Sequence, residues 1–190
     1  MTISALDPHA ALVVVDLQRG VLGVPTEPQT ADEVLARSVR LAEAFRAAGQ
    51  LVVLVRVSFA PDGADAMPGR TERAVLGRTL PGRWDELSDE LTGHPEDVVV
   101  TKRNWGAFHG TGLDVQLRRR GVTQVFLTGI ATTAGVESTA RAAHEHGYHV
   151  VVVTDAVADR SADHHRHSVE HVFPRLGETG TTDDVLALLG

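Results

Sequence analysis

Thr128-Gly129-Ile130-Ala131-Thr132-Thr133-Ala134-Gly135-Val136-Glu137-Ser138-Thr139-Ala140-Arg141-Ala142 reads as the end of a strand, a strained turn and the start of a helix. Just before it, Val125 to Thr128 is a short apolar run; just after it, a helix is expected from Ala134 to His146 and a further apolar run from His149 to Thr154. Working outward, Ala11 to Val15, Leu51 to Val57 and Val98 to Thr101 repeat the same kind of run. Continuous apolar segments of this length are how strands covered on both faces read. Between them, Ala31 to Ala48 places Val34, Leu35, Ser38, Leu41, Ala42 and Phe45 at helical spacing, with Thr30 as the cap and Gly49 as the stop. Further helices are expected at Gly112 to Arg120, Ala162 to Phe173 and Thr182 to Leu189. Strand and helix in alternation imply right-handed crossovers. The fold class is therefore α/β, a three-layer α/β/α sandwich around a central, mainly parallel sheet.

The length of 190 residues suits one domain, residues 1–190, and a hydrophobic fraction of 43% fills its core. The segment at about 60–95, rich in Gly, Pro and Arg, breaks the alternation and reads as an irregular insertion, a lid or a contact surface. Trp84 within it is a candidate lid or subunit-contact residue. A formal charge of -7 argues against nucleic acid or an anionic membrane surface as partner. Arg118-Arg119-Arg120 is the one basic run, and at a helix end it reads as a solvated cap. Met1 to His9 has no secretory pattern, and no apolar stretch reaches membrane-spanning length. The expected setting is cytoplasmic. With no cysteine in the chain, thiol nucleophilic catalysis is excluded.

In a parallel sheet of this kind, ligands lie beyond the carboxyl ends of the strands, so the polar residues after each run define the site. These are Asp16, Ser58, Lys102, the stretch Gly129 to Gly135, and Asp155. Asp16, in Val15-Asp16-Leu17-Gln18, is the first candidate for acid or base work, because a carboxylate at the mouth of an apolar sheet is partly desolvated and its pKa rises. Its alternative is a loop cap or ion-pair partner. Lys102, followed by Arg103-Asn104-Trp105-Gly106-Ala107-Phe108, is placed to hold a substrate oxyanion or to set the charge of Asp16, against the alternative of a solvated edge lysine. Burial raises the Asp16 pKa and the lysine lowers it, a balance that the residues alone leave open. Gln18, Trp105 and Phe108 join Ala131 as candidate substrate-binding residues, with core filling as the alternative for both aromatics.

In motif and order, Asp16, Lys102, the turn around Gly135 and the tail Asp155-Ala156-Val157-Ala158-Asp159-Arg160-Ser161-Ala162-Asp163-His164-His165 resemble the isochorismatase-like hydrolases of the cysteine hydrolase superfamily. Many members carry a catalytic cysteine where this chain has Gly135, and the resemblance is to the branch that keeps glycine there. It implies catalytic roles for Asp16, Lys102 and Gly135, a cis peptide between Ile130 and Ala131, and amides of Ala131 and Gly135 aimed at one oxygen. It also implies a homo-oligomer, dimer or tetramer. Isochorismatases proper have glycine at this position too and cleave a vinyl ether to pyruvate and an alcohol with no covalent enzyme intermediate. Their pattern has Tyr where this chain has Ala131, and Gln after the second strand where this chain offers Ser58. The expected function is hydrolysis of a small carboxylated enol ether or related metabolite with Asp16 as general acid or base. The alternatives are amide or ester hydrolysis by Asp16-activated water, and a catalytically silent binding homologue.

Other chemistries have weaker support. His164, His167 and His171 fall near one helical face, but Asp163, Arg166 and Glu170 make that face a solvated, charge-mixed one, and no catalytic metal is expected. Ser138 and Thr139 lie inside a predicted helix, where hydroxyls bond to backbone. Glycine spacings here lack the Lys-Ser or Lys-Thr of a phosphate loop, so no cofactor is expected.

Overall fold

The structure, a computed structural model, describes residues 3–66, 69–72 and 82–190. Residues 67–68 and 73–81 of the expected insertion lie outside the described residues. Among those described, strands β1 (Ala10–Val15), β2 (Leu51–Val57), β3 (Val98–Lys102), β4 (Gln124–Ile130), β5 (His149–Ala158) and β6 (Glu178–Gly180) form one sheet in the order β3-β2-β1-β4-β5-β6. Every neighbouring pair is parallel. The chain winds outward from β1 to β3, then returns to β4 on the other side of β1. A crevice opens at that reversal, beyond the carboxyl ends of β1 and β4.

Alternation of side chains along β1 divides the core in two. Ala11, Val13 and Val15 pack on one face with Leu113, Leu117, Val136 and Ala140, whereas Leu12 and Val14 pack on the other with Val34, Leu41, Phe45 and Val185. The first face is covered by α3 (Leu113–Arg119) and α4 (Glu137–Glu145), the second by α2 (Ala31–Ala47) and α6 (Thr182–Leu189), so the three-layer α/β/α architecture stands. Helix α2 starts where its sequence says it should. The Thr30 hydroxyl accepts a hydrogen bond from the Glu33 amide at 3.2 Å, and the Glu33 carboxylate accepts one from the Thr30 amide at 2.8 Å. Its apolar stripe then sets Phe45 edge-on against Phe126 of β4, ring centroids 5.3 Å apart.

Three elements depart from the periodicity. A one-turn helix, α1 (Arg19–Leu22), follows β1, and β6 adds a strand of only Glu-Thr-Gly. The expected helix over residues 162–173 divides into α5 (Ala162–His167), a wide turn at Ser168–Val172 and a tight turn at Phe173–Arg175. Pro174 lies in that last turn and has no amide hydrogen to extend the helix.

Gly129 is demanded by the pairing of β1 with β4. It lies opposite Val15 with φ of +119°, and a Cβ there would stand 2.0 Å from the Val15 carbonyl oxygen. Glycine thus lets the two central strands close together at the end that carries the site.

Candidate active site

Asp16 is the first residue beyond β1 and adopts a left-handed conformation, φ +56°, a region that Asp tolerates better than most side chains. Its amide donates to the Val55 carbonyl at 2.9 Å, which fixes the residue over the end of β2. Lys102 ends β3. Its Nζ stands 2.7 Å from Asp16 Oδ2 and also donates to the Trp105 carbonyl oxygen. Both charges are removed from water, with Asp16 6% and Lys102 1% exposed.

The two oxygens of Asp16 differ. Oδ2 accepts from the lysine, while Oδ1 is buried with no hydrogen-bond partner among the described residues. Burial of the carboxyl outweighs the attraction and hydrogen bond of Lys102, and the Asp16 pKa is pushed up from 3.8 to about 6. Of the two opposing influences, desolvation is the larger.

Gly135 faces this pair. A Cβ at Gly135 would stand 2.9 Å from Val15 Cγ1 and 3.1 Å from both Asp16 Oδ2 and Lys102 Nζ. The absent side chain is therefore the space through which the Asp16–Lys102 pair meets the turn. Between the end of β4 and α4, the chain makes a wide turn over Thr132–Val136, and the Val136 amide reaches back to the Ala131 carbonyl at 3.2 Å. The Ile130–Ala131 peptide is cis.

Surrounding residues hold this turn in place. Asp159 Oδ2 accepts from the Thr133 amide at 2.8 Å and the Thr133 hydroxyl at 2.7 Å, and Asp159 itself exchanges backbone hydrogen bonds with Glu27. Thr132 Oγ1 lies 3.0 Å from His165 Nδ1, and burial holds the His165 pKa below the usual imidazole range, so this contact is with a neutral ring at neutral pH. Thr139 accepts from the Ala107 amide and donates to the Gly135 carbonyl at 2.6 Å. Its hydroxyl is occupied in anchoring Gly135.

A cavity of about 290 Å³ opens over these residues, lined by Asp16, Lys102, Ala131, Gly135 and Trp105 among others. The structure thus brings together most of the residues singled out in the sequence. Gln18 and Phe108, expected at the substrate, stand outside that lining. The Gln18 amide donates to the carbonyls of Val57 and Trp84, and its oxygen accepts from the Val57 amide at 2.8 Å, so it ties β2 to the insertion. Phe108 is buried against the rings of His146 and Tyr148. Its place is in the core beside α3.

Phe59, Arg103, Asn104 and Arg160 also line the cavity and were not assigned to it from the sequence, and Trp84, expected as a lid or subunit-contact residue, lines it as well. Phe59 and Trp84 stack with centroids 5.9 Å apart and ring planes 16° from parallel. Asn104 and Arg160 each lie inside a stretch already quoted, a signal that was present but carried no distance. Among the described residues, no group of three or more His, Asp or Glu is arranged to hold a metal ion, and no helix is long and apolar enough to cross a membrane.

The chain is similar to known proteins over nearly its whole length. The model of the isochorismatase domain matches residues 10–184. The chain is 43% identical over 179 residues to YecD, an uncharacterized isochorismatase family protein of Escherichia coli O157:H7, covering 94% of this chain and 95% of that protein. It is 33% identical over 199 residues to the ureidoacrylate amidohydrolase RutB of Variovorax paradoxus, covering 92% of this chain and 79% of the enzyme. A solved structure of an isochorismatase family protein from Burkholderia thailandensis superposes with a TM-score of 0.95 at 48% identity, covering 99% of each chain.

Proposed function

The chain belongs to the isochorismatase family of hydrolases, and we propose that it hydrolyses a small carboxylated enol ether or related metabolite, using Asp16 as general acid and then general base. The observation that carries this reading is the unpartnered, buried Oδ1 of an aspartate whose other oxygen is held by Lys102. A carboxyl with a pKa of about 6 gives up and recovers a proton near neutrality, as a group that must do both requires. In the forward step, the Oδ1 proton of Asp16 moves to the terminal enol carbon, and the ether carbon becomes an oxocarbenium ion. Water adds to that carbon and its proton returns to Asp16. The resulting hemiketal collapses: its hydroxyl gives up a proton to form the carbonyl of pyruvate, the bond to the alcohol oxygen breaks, and that oxygen takes up a proton to leave as the alcohol, so that Asp16 ends protonated as it began. Lys102 stabilises the carboxylate while the proton is away, and the amides of Ala131 and Gly135 face the oxygen of the substrate. Gly135 leaves open the room this chemistry needs next to the pair, and Trp105 contacts the substrate body.

A second reading is hydrolysis of an amide by water that ionised Asp16 activates. It is favoured by the likeness to a ureidoacrylate amidohydrolase and by the same pKa, which leaves only about one Asp16 in ten protonated at pH 7. We further place the protein in the cytoplasm as a homo-oligomer, dimer or tetramer.

The test is turnover of the wild type and Asp16→Asn on isochorismate-type enol ethers and small amides, with pyruvate and ammonia measured separately. Pyruvate release abolished by the substitution is the expected result. Ammonia release with the same dependence would move the protein to the amide reading, and full activity in Asp16→Asn would refute both.

A further inference from the structure

The wall of the cavity has a charge opposite to that of the protein. Against a formal net charge of -7 for the chain, the lining holds the cations Lys102, Arg103 and Arg160 and the single carboxylate of Asp16. Two of the three cations have partners: Lys102 is paired with Asp16, and Arg103 Nε with Asp65 Oδ2 at 2.5 Å. Arg160 is exposed, and its guanidinium has no carboxylate within salt-bridge reach among the described residues.

The Arg160 backbone, by contrast, is held firmly. Its amide donates to Asp159 Oδ1 at 2.8 Å, and the other oxygen of the same carboxylate grips Thr133 in the turn that carries Gly135. One aspartate therefore fixes the base of the arginine relative to the turn. The apolar part of the lining is anchored too. Trp84 is held through its carbonyl by the Gly20 amide at 2.8 Å and stacks on Phe59, and Trp105 lines the same space. Both tryptophans of the chain stand at this one cavity.

We propose that Arg160 is the specificity-determining residue that binds the carboxylate of the substrate, with Phe59, Trp84 and Trp105 selecting a planar apolar body between that carboxylate and Asp16. A guanidinium presents parallel N–H donors that match a carboxylate in a bidentate pair, and flat rings lie well against a conjugated substrate. The assignment rests on the hydrolase reading for its account of what happens at Asp16, but binding itself needs no turnover.

The experiment titrates the intact protein with benzoate and with benzamide, a planar anion and its neutral counterpart, and follows tryptophan fluorescence. Saturable change with benzoate at millimolar concentration is expected, with benzamide at least about tenfold weaker. Arg160→Gln should weaken benzoate about tenfold and leave benzamide unchanged, Arg160→Lys should recover part of the loss, and Arg103→Gln should have a smaller effect because that cation is already paired. Among the described residues the Arg160 side chain makes no hydrogen bond or ion pair, so an unchanged melting temperature should accompany the loss. Absence of saturable benzoate binding to the wild type, equal binding of benzoate and benzamide, or equal losses from Arg103→Gln and Arg160→Gln would each overturn the assignment. If hydrolysis is never found but benzoate binding depends on Arg160, the hydrolase reading fails and this one stands. If pyruvate is released but benzoate and benzamide bind alike, the reverse holds.

Discussion

Replacing Lys102 by methionine isolates what the ion pair does for Asp16. In the wild type, burial has raised the Asp16 pKa from 3.8 to about 6 in spite of the lysine. At about 1.4 kcal/mol per unit, the ionised, buried carboxylate costs the folded state about 3 kcal/mol at neutral pH. The sign follows from the raised pKa. Below 3.8 the group is protonated in both states and costs nothing; between 3.8 and about 6 stability falls as pH rises; above 6 both states are ionised and the cost is constant. Lys102→Met removes an opposite charge 2.7 Å away, which is worth about 1–3 units, and the Asp16 pKa moves toward roughly 8. Stability of the variant then keeps falling through the range where that of the wild type has levelled. Its deficit relative to the wild type should grow by about 1 kcal/mol between pH 5 and pH 7 and by about 2 kcal/mol by pH 8, on top of a constant loss from the lysine's packing and its bond to Trp105. Urea unfolding of both proteins at pH 5, 6, 7 and 8 reads this difference. A deficit that is the same at every pH would refute the reasoning, since it would mean that Lys102 does not govern the protonation of Asp16.

Acid catalysis of vinyl-ether cleavage should give a kcat/KM for pyruvate release that falls about tenfold per unit as pH rises above about 6, whereas the amide reading requires a rate that falls below it; a pH series separates the two. Gly135→Ala pushes a methyl against Val15, Asp16 and Lys102 and should cost about 1–3 kcal/mol in urea unfolding, together with most of the turnover measured on any substrate found. Gly129→Ala meets the Val15 carbonyl at 2.0 Å in a conformation that disfavours a side chain, and should cost about 4 kcal/mol or more, read as loss of the cooperative unfolding transition.

Much of the fold was legible because the signals were local. The run at residues 11–15 is apolar throughout, those at 51–57 and 125–128 are broken only by Arg56 and Thr128, and the Thr30 cap marks the start of α2 from the sequence itself. Strand β6 was not legible. Its Glu-Thr-Gly has no apolar run, and it exists because β5 offers a free edge to pair with, a tertiary cause. The break of the helix after His167 has a local signal in Pro174, but the wide turn before it has none.

The same division holds in the site. Asp16, Lys102 and Gly135 each follow or face the end of a strand, so strand assignment alone put them at one rim. Whether the carboxyl was raised or lowered depended on burial and on the Lys102 distance, neither of which a sequence contains. Gln18 is two residues from Asp16, but the chain bends at the left-handed Asp16, and its amide is consumed by Val57 and Trp84. Arg160 and Trp84 are far apart in the chain. Only the tertiary fold, with β5 beside β4 and the Trp84 carbonyl held by the Gly20 amide of α1, sets them at one cavity.

The most direct test of the central claim is the titration of Asp16 itself in the free protein, followed by the carboxyl 13C shift in NMR and assigned by its absence in Asp16→Asn. A midpoint near 6, moving higher in Lys102→Met, is the result predicted for a buried acid held by a lysine. A midpoint at or below 3.8 would contradict the account, because Asp16 would then hold no proton to give at neutral pH.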